Sequence, residues 1–164
     1  MSTETIVEAI GDWLDANDWK YEYQGERKLF KMGVNLKCRL GHTRLFIDVK
    51  DTAYLVYAIS PVSCGTDAMP ELLRFCAAVN FGLMNGNFEL DPRDGEMRYK
   101  CFVDCDELPA LPNKIIQNSI YYPCAMMSKY GDSFTAIGMG FSDAASELKK
   151  VEPGSTLLDD SSGE

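Results

Sequence analysis

Two hydrophobic periods alternate along this chain. Over residues 3–17, Ile6, Ile10, Trp13, Leu14 and Asn17 recur at helical spacing. Thr5-x-x-Glu8 reads as a capping box, with Ser2 as an alternative cap one turn earlier. From Trp19 the period falls to two: Trp19, Tyr21 and Tyr23 alternate with Lys20, Glu22 and Gln24, and Gly25-Glu26 marks a turn. Val34, Leu36, Cys38 and Leu40 alternate with Asn35, Lys37 and Arg39, which predicts a half-buried strand ending at a Gly41-His42 hairpin turn. Leu45, Ile47 and Val49 continue the alternation. After Asp51-Thr52 the run AYLVYAIS is too short and too rich in β-formers for a helix. These segments predict an antiparallel meander.

Residues 69–85 return to a helical period, with Pro70 in the first turn. Met69, Leu72, Cys76, Val79 and Leu83 form one apolar stripe; Leu73, Ala77, Phe81 and Met84 form a second, more than a quarter-turn away. A helix apolar on two sides needs two covers. A sheet supplies one, and a third helix or a second subunit supplies the other. Next comes GNFELDPRDGEMRYKC, where Phe88 and Leu90, then Met97, Tyr99, Cys101 and Val103, alternate with polar residues around Asp91-Pro92-Arg93-Asp94-Gly95. Residues 113–130 carry Ile116, Ile120, Cys124 and Met127 on one helical stripe, interrupted by Pro123, which predicts a kink. Residues 131–140 read as a break or a frayed continuation of that helix. Ser142 or Asp143 caps a short helix through Lys150.

The four carboxylates Glu89, Asp91, Asp94 and Glu96 raise the question of an acidic site. A calcium loop needs acids at alternating positions, a central Gly and a distant Glu, and that spacing is absent. Pro followed by Gly between alternating runs is the punctuation of a hairpin, so the acids belong to a turn. His42 is the sole histidine and falls in a predicted turn, which disfavours Ser-His or Cys-His catalysis. Cys101 and Cys105 lie about 13 Å apart on a continuous strand, too far to share one zinc. The six cysteines, Cys38, Cys64, Cys76, Cys101, Cys105 and Cys124, include no CxxC pair and read as free thiols. Thr66 or Asp67 in GTDAMPELL reads as an ordinary helix cap rather than an anion site.

With 164 residues, 46% hydrophobic and 25% charged, the chain suits one folded domain over residues 1–150 and a polar, acidic, disordered tail over 151–164. The net charge of −9 excludes duplex nucleic acid and anionic membranes as favoured partners. The first residues lack the basic stretch of a signal peptide, which predicts a cytoplasmic location. Charge is uneven, however. Lys20, Arg27, Lys28, Lys31, Lys37, Arg39, Arg44 and Lys50 face only Glu22, Glu26 and Asp48 over the same region, a solvated sheet face or a docking surface for an acidic protein segment. Met126, Met127, Phe134 and Met139 are mostly core, with adaptable thioethers wherever they surface.

LLRFCAAVNFGLMNGNFELDPRDGEMRY resembles the YbjN-like family of bacterial proteins, through Asn80 near a helix end, Gly86-x-Phe88, and a hairpin with Asp91 and Gly95. SIYYPCAMM and GMGFSDAASEL are also similar to that family, so the resemblance spans residues 13–148. It implies an α+β domain with the type III secretion chaperone-like fold. That is an antiparallel sheet of five or six strands with helices on one face, in the order α-β-β-β-α-β-β-α. It also implies dimers and a chaperone-like or regulatory role, with no established reaction. The expectation is therefore a non-enzymatic protein-binding homodimer, with no cofactor or metal. Leu73, Ala77, Phe81 and Met84 are its self-association residues, and another protein segment is a further partner. The rival is a sensory module with a small-molecule pocket between sheet and third helix.

Overall fold

The computed structural model describes residues 1–159. The elements run α1 (Thr3–Ala16), β1 (Tyr21–Gln24), β2 (Leu29–Asn35), β3 (His42–Val49), β4 (Ala53–Ile59), α2 (Met69–Gly82), β5 (Asn87–Leu90), β6 (Met97–Asp104), α3 (Asn113–Gly138) and α4 (Ala144–Val151). All six strands form one sheet in the order β1-β2-β3-β4-β6-β5, with every neighbouring pair antiparallel. This is the α+β architecture read from the sequence, at six strands, with the four-residue β1 and β5 at its two edges.

One face of the sheet makes the core. Phe30, Leu45, Ile47, Val49, Tyr54, Val56, Tyr99 and Cys101 are buried there, alternating with residues on the other side. α3 crosses this face against β4 and β6, and α1 packs on β3 and α3. The Tyr54 hydroxyl and Ser119 Oγ meet at 3.0 Å, and Ser119 Oγ also donates to the Ile116 carbonyl. The sheet and α3 thus share a buried polar link whose groups are satisfied. Ser2, rather than Thr5, caps α1, its hydroxyl accepting from the Thr5 N–H.

Three stretches differ from the sequence reading. The second meander strand is Leu29–Asn35, and residues 36–41 form a loop closed by Gly41 N–H to the Cys38 carbonyl at 3.0 Å. His42 opens β3 instead of occupying a turn. Cys38 and Leu40 looked strand-like because their apolar side chains pack on α3. A Cβ on Gly131 would stand 2.7 Å from Cys38 Sγ and 2.9 Å from Leu40 Cδ1. Arg39 N–H donates to Asp132 Oδ1 at 2.7 Å in the same contact. That docking also explains why α3 continues to Gly138, the continuation rather than the break that residues 131–140 left open: tertiary packing holds a glycine that is a poor helix former alone. Pro123 lies buried within α3 and deprives the Ser119 carbonyl of its helical donor without ending the helix. At α2, neither Thr66 nor Asp67 is the cap; Thr66–Ala68 form a short 3-10 turn and Ala68 precedes the helix with no side-chain cap bond.

α4 is capped by Asp143, which accepts from Ser146 N–H at 2.8 Å, while Glu71 of α2 accepts from Ala144 N–H at 2.8 Å. Beyond α4 the chain turns back, with Leu158 against the core and Lys149 paired to Asp159 at 2.8 Å. The acidic tail is thus placed as far as Asp159. The rest of the expected tail, residues 160–164, lies outside the described residues.

The passage from α2 to β5 is held by a side chain acting as backbone. Asn80 Oδ1 accepts from Phe88 N–H at 2.8 Å, and Asn80 Nδ2 donates to the Phe88 carbonyl at 3.0 Å. Gly86 has φ +79, and a Cβ there would lie 2.4 Å from the Lys100 carbonyl oxygen. Neither the dihedral nor the space admits a side chain. Asn80→Ala, which strands both Phe88 backbone groups, is expected to lower unfolding free energy by roughly 1–3 kcal/mol. Gly86→Ala should cost roughly 2–4 kcal/mol through a left-handed alanine and a backbone clash. Urea midpoints at unchanged slope check both.

Candidate protein-binding surfaces

α2 has two apolar sides, and one chain covers one of them. Leu72, Phe75, Cys76, Ala78 and Val79 are buried against the sheet and neighbouring helices. Phe75 meets Phe134 edge-on at 5.1 Å, and Phe88 stacks on Tyr99, Tyr130 and Phe134 beside it. On the outer side Leu73 is 48% exposed, Ala77 is exposed and Phe81 is 81% exposed. Their spacing of four makes a strip about 12 Å long on the helix surface. Met84, 95% exposed, stands past the end of α2 in the loop that Asn80 and Gly86 pin to the sheet. The Tyr99 hydroxyl donates to the Asn85 carbonyl in that loop. The four residues expected to mediate self-association thus form one open run, three on the helix and one at its end. Neither α3 nor α4 covers it.

The carboxylates of the hairpin are engaged in its construction. Asp91 accepts from the Arg93 N–H and from its guanidinium, which holds the Asp91 carboxyl down to about 2. Asp94 accepts from Glu96 N–H at 2.9 Å, and Gly95 N–H returns to the Asp91 carbonyl. Glu89 pairs with Arg98 at 2.7 Å and with Lys100. Burial raises the Glu89 pKa, but these two cations outweigh it, and the net shift is downward. Gly95, at φ +72, lets the hairpin touch the Cys64 backbone: a Cβ would stand 2.2 Å from the Cys64 carbonyl oxygen. The hairpin is a structural turn fastened to the loop before α2.

The thiols and the histidine are similarly placed. Burial pushes Cys76 and Cys101 up to about 12 and Cys124 up to about 11, so near neutrality they are protonated and weak nucleophiles. Cys105 is buried beyond the end of β6. Among the described residues no group of three or more His, Cys, Asp or Glu is arranged to hold a metal ion. His42 Nδ1 faces Asn35 Oδ1 at 3.1 Å, and its ring lies across Gly33, where a Cβ would be 2.5 Å from Cε1. Of the apolar group around and beyond Pro123, Met127 and Phe134 are buried and Met126 is half-buried, while Met139 and, beside it, Phe141 are exposed just past the end of α3. Leu40, Val62, Cys64, Leu72, Met97 and Phe134 line a cavity of about 60 Å³ between that end and the sheet.

The sequence reading offered the basic stretch of residues 20–50 as a solvated sheet face or a docking surface for an acidic segment, but not the aromatic rings on the uncovered face of the sheet. Phe46 and Tyr57 sit there half-buried and Phe102 is 58% exposed. Arg98 lies over the Tyr57 ring at 4.8 Å and Arg44 over Phe46 at 6.0 Å. The alternation within TRLFIDV assigns Phe46 to the solvent side of its strand. Only the strand order shows that Tyr57 stands beside it.

No protein-family model matches the chain, and no curated protein matches it in sequence. Its structure does have counterparts. The crystal structure of YbjN from E. coli superposes with a TM-score of 0.61 at 12% identity, over 79% of this chain and 91% of that one. A chain of the HopA1–SchA chaperone–effector complex superposes with a TM-score of 0.57 at 9% identity, over 80% of this chain and 95% of that one. Among the described residues no helix is long and apolar enough to cross a membrane. Six antiparallel strands with helices on one face and the α2–β5 junction built on Asn80, Gly86 and Phe88 give this chain the YbjN-like fold, related to that of type III secretion chaperones.

Proposed function

We propose that this chain is a non-enzymatic protein-binding domain, chaperone-like or regulatory, that works as a homodimer through the outer side of α2. The observation that carries the reading is the exposure of Leu73, Phe81 and Met84 along the outer side of a helix whose inner side is buried. Burying a large apolar side chain gains about 1.5–3 kcal/mol. A two-fold interface counts each such residue twice, once from each copy. The matched chaperone–effector complex supports protein binding as the general role, and YbjN is described as a candidate regulator. The committed hairpin carboxylates and protonated thiols support a role without catalysis. A small-molecule role is the second reading: clefts of about 580, 390 and 440 Å³ reach the roughly 300–1,000 Å³ of ligand sites. Each of these is open to solvent, and the apolar cavity at the end of α3 is about 60 Å³.

Size-exclusion chromatography with light scattering tests the assembly. The wild-type chain is expected to elute at twice its 18.3 kDa mass. Phe81→Asp is expected to elute as a folded monomer with unchanged far-ultraviolet circular dichroism. A monomeric wild type, or a Phe81→Asp dimer as tight as wild type, overturns the α2 interface.

A further inference from the structure

The helices occupy one face of the sheet and leave the other bare across β2, β3, β4 and β6. We propose that this bare face docks an extended protein segment that carries two carboxylates four residues apart with an apolar side chain between them. The inference rests on reading the chain as a protein-binding domain and does not require the α2 dimer.

The strand register arranges the face in rows. In one row Lys31, Phe46, Tyr57 and Lys100 stand side by side on the four strands. The next holds Gly33, Arg44, Ile59 and Arg98; on the other side lie Leu29, Asp48, Leu55 and Phe102. Two aromatic rings therefore lie between two lysines, and each ring carries an arginine from the adjoining row. Neighbouring strands are about 4.8 Å apart, so the lysine strands β2 and β6 are separated by roughly 14 Å. In an extended segment residues i and i+4 point the same way and lie about 13 Å apart, with i+2 midway on the same side. Carboxylates at i and i+4 then reach the Lys31 and Lys100 ends of the row, and an apolar i+2 rests on Phe46 and Tyr57.

Most acids around this face sit at its margins, the exception being Asp48 in the adjoining row on β3. Glu22 is opposite Lys31 on the outermost β1. Asp48 pairs with Lys50 at 2.7 Å, and Glu96 reaches Arg44 at 3.3 Å from the hairpin end. Glu89 on the outer β5 serves both Arg98 and Lys100, so one carboxylate is shared by two cations. Half-exposed pairs of this kind contribute little, and an arriving carboxylate exchanges with them at small cost. The same marginal acids disfavour a polyphosphate chain, whose charge recurs at every step and meets Glu22, Glu89 and Glu96 as well as the lysines. A protein segment with spaced carboxylates avoids that repulsion.

The test uses the full chain and a fluorescein-labelled peptide with the central sequence Asp-Ser-Phe-Ser-Asp, followed by anisotropy. A Lys-Ser-Phe-Ser-Lys peptide and an oligothymidylate serve as comparisons. The acidic peptide is expected to bind in preference to both, and to weaken as salt rises. Lys31→Glu, a change on a solvent-facing strand position, is expected to weaken it about tenfold. Arg44→Gln gives a second, milder variant should Lys31→Glu unfold, and circular dichroism verifies both. The docking surface is overturned if the acidic peptide fails to bind at millimolar concentration, or binds no better than the basic one. It is equally overturned if the oligothymidylate binds in its place, or if both folded sheet variants bind as wild type. If Phe81→Asp alone abolishes peptide binding, the segment sits on α2. Light scattering on the same samples reports the dimer separately, so either reading can fail while the other stands.

Discussion

The fold depends on α3 lying across the inner face of the sheet. A six-stranded antiparallel sheet with one buried face requires a long apolar cover, and this 26-residue helix supplies it. Ile116, Ile120, Met127, Phe134 and Ile137 are buried along its length, and the Tyr54–Ser119 contact joins it to the middle of the sheet. Other elements take their positions from it. The 36–41 loop settles on Gly131, α1 packs alongside, and Glu152 following α4 accepts from the Tyr130 hydroxyl. The two proposed binding surfaces are what this arrangement leaves uncovered: the outer side of α2 and the far face of the sheet.

These two surfaces differ in chemistry, and the difference suggests a division of labour. The α2 strip is apolar, with Phe81 and Met84 projecting freely, and suits a permanent contact that excludes water. The sheet face mixes aromatic rings with cations already engaged by marginal acids, and suits a partner that comes and goes. They lie on different parts of the molecule, so occupancy of one leaves the other accessible.

Most of the element order was legible in the sequence because burial writes itself as period. β3 and β4 bury one face, and the pattern Leu45, Ile47, Val49 shows it directly. α2 was legible down to its second apolar stripe, including Leu73, Ala77 and Phe81. The misreadings share a cause. Leu36, Cys38 and Leu40 are apolar because a loop packs on a helix 90 residues later, and single-sequence periodicity does not distinguish that from a strand. Residues 131–140 left a break and a frayed continuation both open because isolated propensity disfavours glycine in helices, whereas Gly131 is required by close packing. The rows of the sheet face were illegible for another reason: Phe46 and Tyr57 become neighbours through strand pairing, and Lys100 joins them only because β6 inserts between β4 and β5.

Asn80 gives the sheet a direction of growth. Its amide presents to Phe88 a donor and an acceptor, the pair that another strand would offer, and so terminates the β5 margin with a side chain. The opposite margin is β1, four residues long like β5 but without such a side-chain plug among the described residues. Main-chain recruitment is thereby one-sided: a foreign strand seeking register finds one border occupied and the other without a plug. The molecule is polar in the sense that a filament end is polar, and an added strand would extend the meander from β1 and leave the α2–β5 junction untouched.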